Sequence, residues 1–386
     1  MISNDLSGRH VLVIGERLAP GAREALAGAN FEIAAGDGLA LLRAVPPHTD
    51  LVLIDTEGVD GTALTEAITA LGAKQNQPAV LAAGGHLSAG LVRALMKLSR
   101  SDVLDAPFTS ADLTRAAAAL MVNADTGAAA PNAHCWTVIG SVGGCGATTI
   151  AVELATTLAV RNKGKRVALV DLNLVDGAAS AYLGATANMQ LVTASATPER
   201  IDAALLEAFC MRLGDGLDLL ACPRDAKAFS KVTQAAVCRV LEVACQVYDW
   251  IVIDLPRHQQ PWTLDVLAGS DEVLVVSELT VPALLSARAL ASEIEEEIPT
   301  GPAPRIILNR LASRVFGPAP SLAEAEKALQ RKADGGITSD WEAAAASANL
   351  GGAITHHRPR SKIVRDIGVL VDRLTDPAAA LQTRTA

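Results

Sequence analysis

Residues 137–150, Thr-Val-Ile-Gly-Ser-Val-Gly-Gly-Cys-Gly-Ala-Thr-Thr-Ile, constrain this chain more than any other stretch. An apolar run feeds a turn rich in glycine. The turn opens directly into the helical pattern Thr-Thr-Ile-Ala-Val-Glu-Leu-Ala at 148–155. Glycines let the backbone curl so that successive N–H groups point inward, and the helix N-terminus adds partial positive charge. A hydroxyl just past the turn, here Thr148, is placed to hold Mg²⁺. This is the layout of a phosphate-binding loop between a buried strand and a helix. Such loops carry a lysine immediately before the Thr pair, and this chain has Ala147 there. The backbone cradle is intact, and the side chain that reaches a terminal phosphate is missing.

The length of 386 residues predicts two or three domains, and an apolar half of the composition supplies their cores. Aromatics make up only 3% of the chain, too few for the stacking platforms of a single-strand nucleic-acid binder. A net charge of −9 argues against strong electrostatic binding to DNA or RNA, so no specific nucleic-acid partner is expected. The N-terminus lacks the basic-then-apolar pattern of a secretion signal, and no apolar stretch is long enough to span a bilayer. Six cysteines without a CxxC pair read as small buried residues in a reducing compartment.

The first 122 residues alternate strands and helices. Strands are expected at 9–14, 31–34, 50–55, 79–82 and 102–105, and helices at 19–29, 39–45, 64–71, 88–98 and 110–122. That rhythm predicts a doubly wound α/β domain. Asp55 ends the third strand, and Asp105-Ala-Pro-Phe108 follows the fifth. On these residues the segment resembles a degenerate response-regulator receiver domain. The resemblance implies a phospho-accepting aspartate at Asp55, but its partners are gone: Gly15-Glu16 replaces the acidic pair, Ala82-Ala83 the hydroxyl, and Ala106 the lysine. Phosphoryl transfer to a carboxylate needs those parts. A docking or dimerisation module is the better expectation. Residues 123–134 lack periodicity and read as a linker.

A second α/β domain is expected over 135–376, with a flexible tail at 377–386. Buried strands end in acids at Asp171 and Asp254, and a late strand ends in Asn309-Arg310. Helices are expected at 198–211 and 233–248. Acids at strand ends gather beside the phosphate site in such sheets. Asp171 is a candidate water-orienting acid, and Asp254 a Walker B-like acid sharing Mg²⁺ with Thr148. Gly143, Gly144, Cys145, Gly146, Ala147, Thr148 and Thr149 would contact phosphates, and Asn309 and Arg310 a base. The fold class expected is therefore two doubly wound three-layer α/β domains, receiver-like (flavodoxin-like) and then P-loop.

The order of motifs is similar to the ParA/MinD branch of P-loop ATPases, whose loop reads Lys-Gly-Gly-x-Gly-Lys-Thr-Thr. Val142 and Ala147 stand at the two lysine positions, and Asn173 stands where a second acid is usual. The two-domain order resembles the CpaE/TadZ proteins of Tad (Flp) pilus assembly. Residues 198–206, 214–223, 254–257, 321–329 and 359–365 carry that resemblance. It implies a cytoplasmic homodimer at the cell pole or inner-membrane face. It also implies ATP or ADP with Mg²⁺ as ligand, and pilus motor ATPase and inner-membrane platform proteins as partners. The substituted lysines leave hydrolysis open. An active ATPase partitioning cargo on DNA or membrane would need a substitute cation, from Arg257 or a partner chain.

Near the C-terminus, Ile363, Val364, Ile367, Leu370, Val371 and Leu374 form one helical stripe. A last helix packed on its own domain is expected, with peripheral membrane association as the alternative. His356-His357 has no acid or thiol cluster for a metal, and Arg358, Arg360, Lys362 and Arg365 form a modest basic patch.

Overall fold

The computed structural model describes residues 8–375 apart from 16–17, 19–25, 27–28, 34–37, 58, 73, 75–76, 86–88, 97, 99, 123–132, 300 and 312–321. The chain divides into two compact units, residues 1–132 and 133–386. Most of the linker expected at 123–134, most of the helix expected at 19–29, Glu16 and the tail at 377–386 lie outside the described residues. His134, expected as the last residue of the linker, is the first residue of a strand.

The first unit is a five-stranded parallel sheet. Its strands are β1 (His10–Ile14), β2 (Asn30–Ile33), β3 (Leu51–Asp55), β4 (Ala79–Gly84) and β5 (Ser101–Asp105), in the order β2-β1-β3-β4-β5. That is the flavodoxin-type doubly wound order. β3 and β4 are buried along their whole length, as continuous apolar strands covered on both faces must be. On one face Val11, Val13, Leu51, Leu53 and Leu81 pack against α4 (Ser110–Val122). On the other, Leu12, Ile14, Val52, Ile54 and Val80 pack against α1 (Gly38–Arg43), α2 (Gly61–Gly72) and α3 (Ala89–Met96). Period-two alternation along each strand thus splits the core into two layers around the sheet.

The second unit is an eight-stranded sheet in the order β13-β12-β11-β6-β10-β7-β9-β8. Its strands are β6 (His134–Gly140), β7 (Val167–Asp171), β8 (Met211–Gly214), β9 (Leu217–Ala221), β10 (Trp250–Leu255), β11 (Glu272–Glu278), β12 (Arg305–Leu311) and β13 (Gly335–Thr338). All pairs are parallel except β8 with β9. Central β6 carries the glycine turn, flanked by β10 and β11. The edge strands β8 and β13 were not expected. Each is four residues long and contains glycine, so neither shows a period. The helix expected at 198–211 is a 3₁₀ turn at Pro198–Arg200, then a helix at Ala203–Phe209 capped by Asp202, then β8.

Helix α5 (Ala147–Arg161) follows the glycine turn and is buried on nearly all sides, in keeping with its Ala-, Val- and Leu-rich sequence. Trp136, Val138, Leu169 and Val252 of the sheet pack in the same cluster as Ile150, Leu154 and Leu158 of α5. The C-terminal helix Lys362–Thr375 lies on α5 and β13, with Ile363, Ile367, Leu370 and Val371 in that cluster. Arg161 ties the two helices together through the Gly368 carbonyl at 3.1 Å and Asp372 at 2.6 Å. The stripe read from the sequence is therefore a packing face. No described helix is long and apolar enough to cross a membrane.

Candidate functional site

The site is built where β6 ends. Gly146 sits at φ +93°, in the left-handed region, and acts as the N-cap of α5 without a side-chain cap. The turn thus delivers the first N–H groups of α5 with no side chain of their own to cap them. Thr148 and Thr149 lie in that first turn. The amide Nδ2 of Asn309, at the end of β12, donates to the Cys145 carbonyl at 2.8 Å. Asn309 therefore stands at the loop and braces it. Arg310, expected beside it as a base contact, pairs through Nη1 with Glu278 at 3.3 Å.

Strand register brings the two acids together. Asp254 of β10 is the direct neighbour of Asp171 on β7, and β10 also borders β6. Both carboxyls share strand parity with Val252 and Leu169, so they lie on the face covered by α5. Both are buried. Asp171 accepts N–H bonds from Asn173 at 2.9 Å and Ala179 at 3.2 Å, spending one on each oxygen. A Cβ at Gly177 would lie 2.9 Å from Asp171 Oδ2, so only glycine lets the chain pass that carboxylate. Asp254 is held by Thr148, and its Oδ2 is buried with no partner among the described residues. An unpaired carboxylate oxygen in a closed site calls for a cation or an ordered water.

Burial pushes the Asp171 carboxyl up to about 6, against the two N–H bonds and nearby Arg224, which lower it. Burial raises Asp254 well above the usual carboxylate range, and the adjacent Asp171 charge adds to that. These residues fit a Mg²⁺–nucleotide: a glycine cradle at a helix N-terminus, a hydroxyl, and an orphaned carboxylate oxygen beside it.

The shifts set a pH dependence. The native state holds a proton on Asp171 up to about 6, whereas an unfolded Asp releases it near pH ~3.9. Between those values the native state binds more protons. Without added nucleotide, stability should therefore fall as pH rises through that window. Asp254→Asn removes one of two buried carboxyls that crowd each other. It should raise the urea midpoint at pH ~8, by about 1–3 kcal/mol of stability, while removing the Mg²⁺ dependence of nucleotide binding. A variant less stable than the parent at that pH would overturn this electrostatic reading.

The positions of the missing lysines are packed rather than vacant. Val142 and Ala147 both lie against the core cluster that includes α5. A cation outside the loop motif approaches instead: a Cβ on Gly143 would lie 3.9 Å from Arg257 Nη1. Arg257, expected from the sequence as a substitute cation, follows Asp254 by three residues, and the fold brings it near the turn.

In the first unit, Asp55 is buried at the end of β3 and accepts an N–H bond from Glu57 at 3.0 Å. It lines a recess of about 310 Å³ together with Glu57, Ala83, Ala106, Phe108 and Thr109. No lysine or arginine lines that recess among the described residues. His356 stands 3.7 Å from Asp215, while His357 bonds the Gly351 carbonyl, so the adjacent histidines diverge. No cluster of metal-ligating side chains occurs among the described residues. The described cysteines form no disulfide.

A family model described as an AAA domain matches residues 135–300. The septum site-determining protein MinD of Bacillus subtilis is 25% identical over 176 residues, which span 45% of this chain and 63% of that relative. The crystal structure of a ParA family ATPase from Chlorobium tepidum superimposes with a TM-score of 0.55 at 23% identity, covering 61% of this chain and 98% of that one. MinD from Pyrococcus horikoshii, complexed with Mg-ADP, superimposes with a TM-score of 0.53 at 20% identity, covering 64% and 97%. A glycine turn after the central strand, a buried acid on each of two neighbouring strands and these likenesses converge: the second unit has the fold of the ParA/MinD-type P-loop ATPases.

Proposed function

We propose that the chain is a nucleotide-binding scaffold or switch for assembly of a Tad-type pilus, with ATP hydrolysis weak or absent. One observation carries the reading. The loop keeps its backbone cradle, Thr148 and the orphaned Asp254 oxygen, while apolar side chains pack at positions 142 and 147. In this reading Gly143 to Thr149 hold phosphates, and Thr148 with Asp254 hold Mg²⁺. Asp171 orients water, and Asn309 keeps the loop shaped for its ligand. An ammonium aimed at developing phosphate charge contributes several kcal/mol to a transition state, by analogy with other preorganised donors. Losing two such groups reduces turnover more than binding, because backbone N–H groups still serve the ground state.

The receiver-like unit supports the same reading. The groups that would work with Asp55 are replaced by Ala82, Ala83 and Ala106, so this unit acts as a docking or dimerisation module. The working form is a homodimer in the cytoplasm, at the cell pole or inner-membrane face, and it recruits the pilus motor ATPase and platform proteins.

Titration with Mg-ATP and Mg-ADP, joined to a phosphate-release assay, tests the proposal. Saturable binding with negligible release is expected. Ala147→Lys should raise affinity or turnover. Release as fast as in lysine-bearing relatives would overturn the scaffold reading in favour of a partitioning ATPase. Failure of the parent protein to bind either nucleotide would overturn the nucleotide reading itself.

A further inference from the structure

We propose that Arg257 supplies the phosphate-facing cation that positions 142 and 147 no longer provide. The charge then reaches the glycine turn from the end of β10 instead of from within the loop. The inference rests on the reading of the loop as a nucleotide site and names the residue that helps it hold phosphate without its lysines.

Three observations converge on this side chain. The first is position. Arg257 Nη1 would stand 3.9 Å from a Cβ at Gly143, which places the guanidinium against the glycine turn. The strand that delivers it also delivers Asp254, so cation and Mg²⁺-side carboxylate are set by one element, three residues apart.

The second is lack of compensation. Arg257 is exposed and makes no ion pair among the described residues. Other arginines near the site are committed: Arg224 donates to the Gly177 carbonyl, and Arg310 pairs with Glu278. Around the loop, two buried carboxyls already stand close together, so a bound polyphosphate would add charge to an acidic corner. A cation without a partner is what such a corner lacks.

The third is the space beside it. Arg257 lines a recess of about 170 Å³ at the foot of the loop, with Ser141, Gln259 and Thr263. The Ser141 hydroxyl is buried there and has no partner among the described residues. An arginine suits the task from this distance. Its stem is long, its charge is permanent, and its planar fork matches two phosphate oxygens at once. A surface arginine with no role would leave the same loop unable to hold a triphosphate more tightly than its backbone allows.

The test is titration of the full chain with a fluorescent ATP analogue, using parent, Arg257→Ala, Arg257→Lys, and Arg257→Ala combined with Ala147→Lys. Arg257→Ala should weaken ATP binding roughly 10- to 100-fold, the range for a charged hydrogen-bonding group. Its melting temperature should stay unchanged, because the side chain is exposed. Arg257→Lys should recover part of the loss, since an ammonium keeps charge but not the fork. Ala147→Lys should restore binding to the alanine variant. Equal affinity of parent and Arg257→Ala would overturn the inference and leave the nucleotide reading standing. A lowered melting temperature, with ATP and adenosine binding weakened alike, would mark a structural role and also overturn it. A parent that binds no nucleotide would overturn both.

Discussion

Gly146→Ala is expected to destabilise the second unit by about 2–4 kcal/mol and to weaken nucleotide binding at least tenfold. A non-glycine residue in the left-handed region costs about 1–2 kcal/mol by itself, and Gly146 stands at φ +93°. The added methyl would also run into the amide nitrogen of Asn309. Relief requires that amide to move off the Cys145 carbonyl, which it now satisfies at 2.8 Å. Either the brace or the turn gives way, and the N–H groups at the start of α5 lose their common aim. All four tryptophans, 136, 250, 262 and 341, lie in the second unit. Tryptophan fluorescence during urea unfolding therefore reports this unit selectively. An unshifted midpoint would mean that the turn does not hold its left-handed residue.

Glu153→Leu should cost about 3–5 kcal/mol, the range for breaking a buried charged network by removing one partner. Glu153 lies inside α5 with 1% of its surface exposed. Its Oε1 accepts from the Ile354 N–H at 2.6 Å, and its Oε2 from the Thr355 N–H at 3.0 Å and the Thr355 hydroxyl at 2.8 Å. The carboxylate thereby takes up the first donors of the short helix Ile354–His357, whose N-cap residue, Ala353, has no side chain to cap them. Leucine matches the volume but strands three donors in the core. Burial raises the Glu153 carboxyl, and the three bonds pull it back, so Glu153→Gln should lose less than Glu153→Leu. Urea midpoints in the order parent, Gln, Leu are expected, and equal midpoints for Gln and Leu would refute the network. Because Glu153 is six residues into the helix that begins at the phosphate loop, the same bonds fasten the C-terminal segment to the site.

The elements read most directly from the sequence are those whose signal is local. β3 and β10 are apolar runs closed by aspartate, and each is a buried parallel strand. The glycine turn announces its own conformation, because only glycine tolerates the backbone it needs at 146. Helix Lys362–Thr375 shows a clean stripe, and that stripe is its packing face. The elements missed are those with no local signal. β8 and β13 hold their places through neighbours in the sheet, not through propensity. The break in the helix expected at 198–211 depends on the Asp202 cap and on β8 pairing with β9, and helical periodicity shows neither.

The sequence by itself determined that a glycine-rich turn opens α5, that Val142 and Ala147 stand on either side of its glycines, and that acids stand at the ends of two buried strands. Those facts depend on which residue follows which. Tertiary structure alone decided that Asp171 and Asp254 are register neighbours, because strand pairing joins two residues with 82 others between them in the chain. It also decided that Asn309 braces the loop, that Glu153 caps a helix some two hundred residues away, and that Arg257 lies against Gly143. Each of these is a contact across the fold. Side-chain type fixes what such a contact is worth, and only the folded sheet fixes which side chains meet.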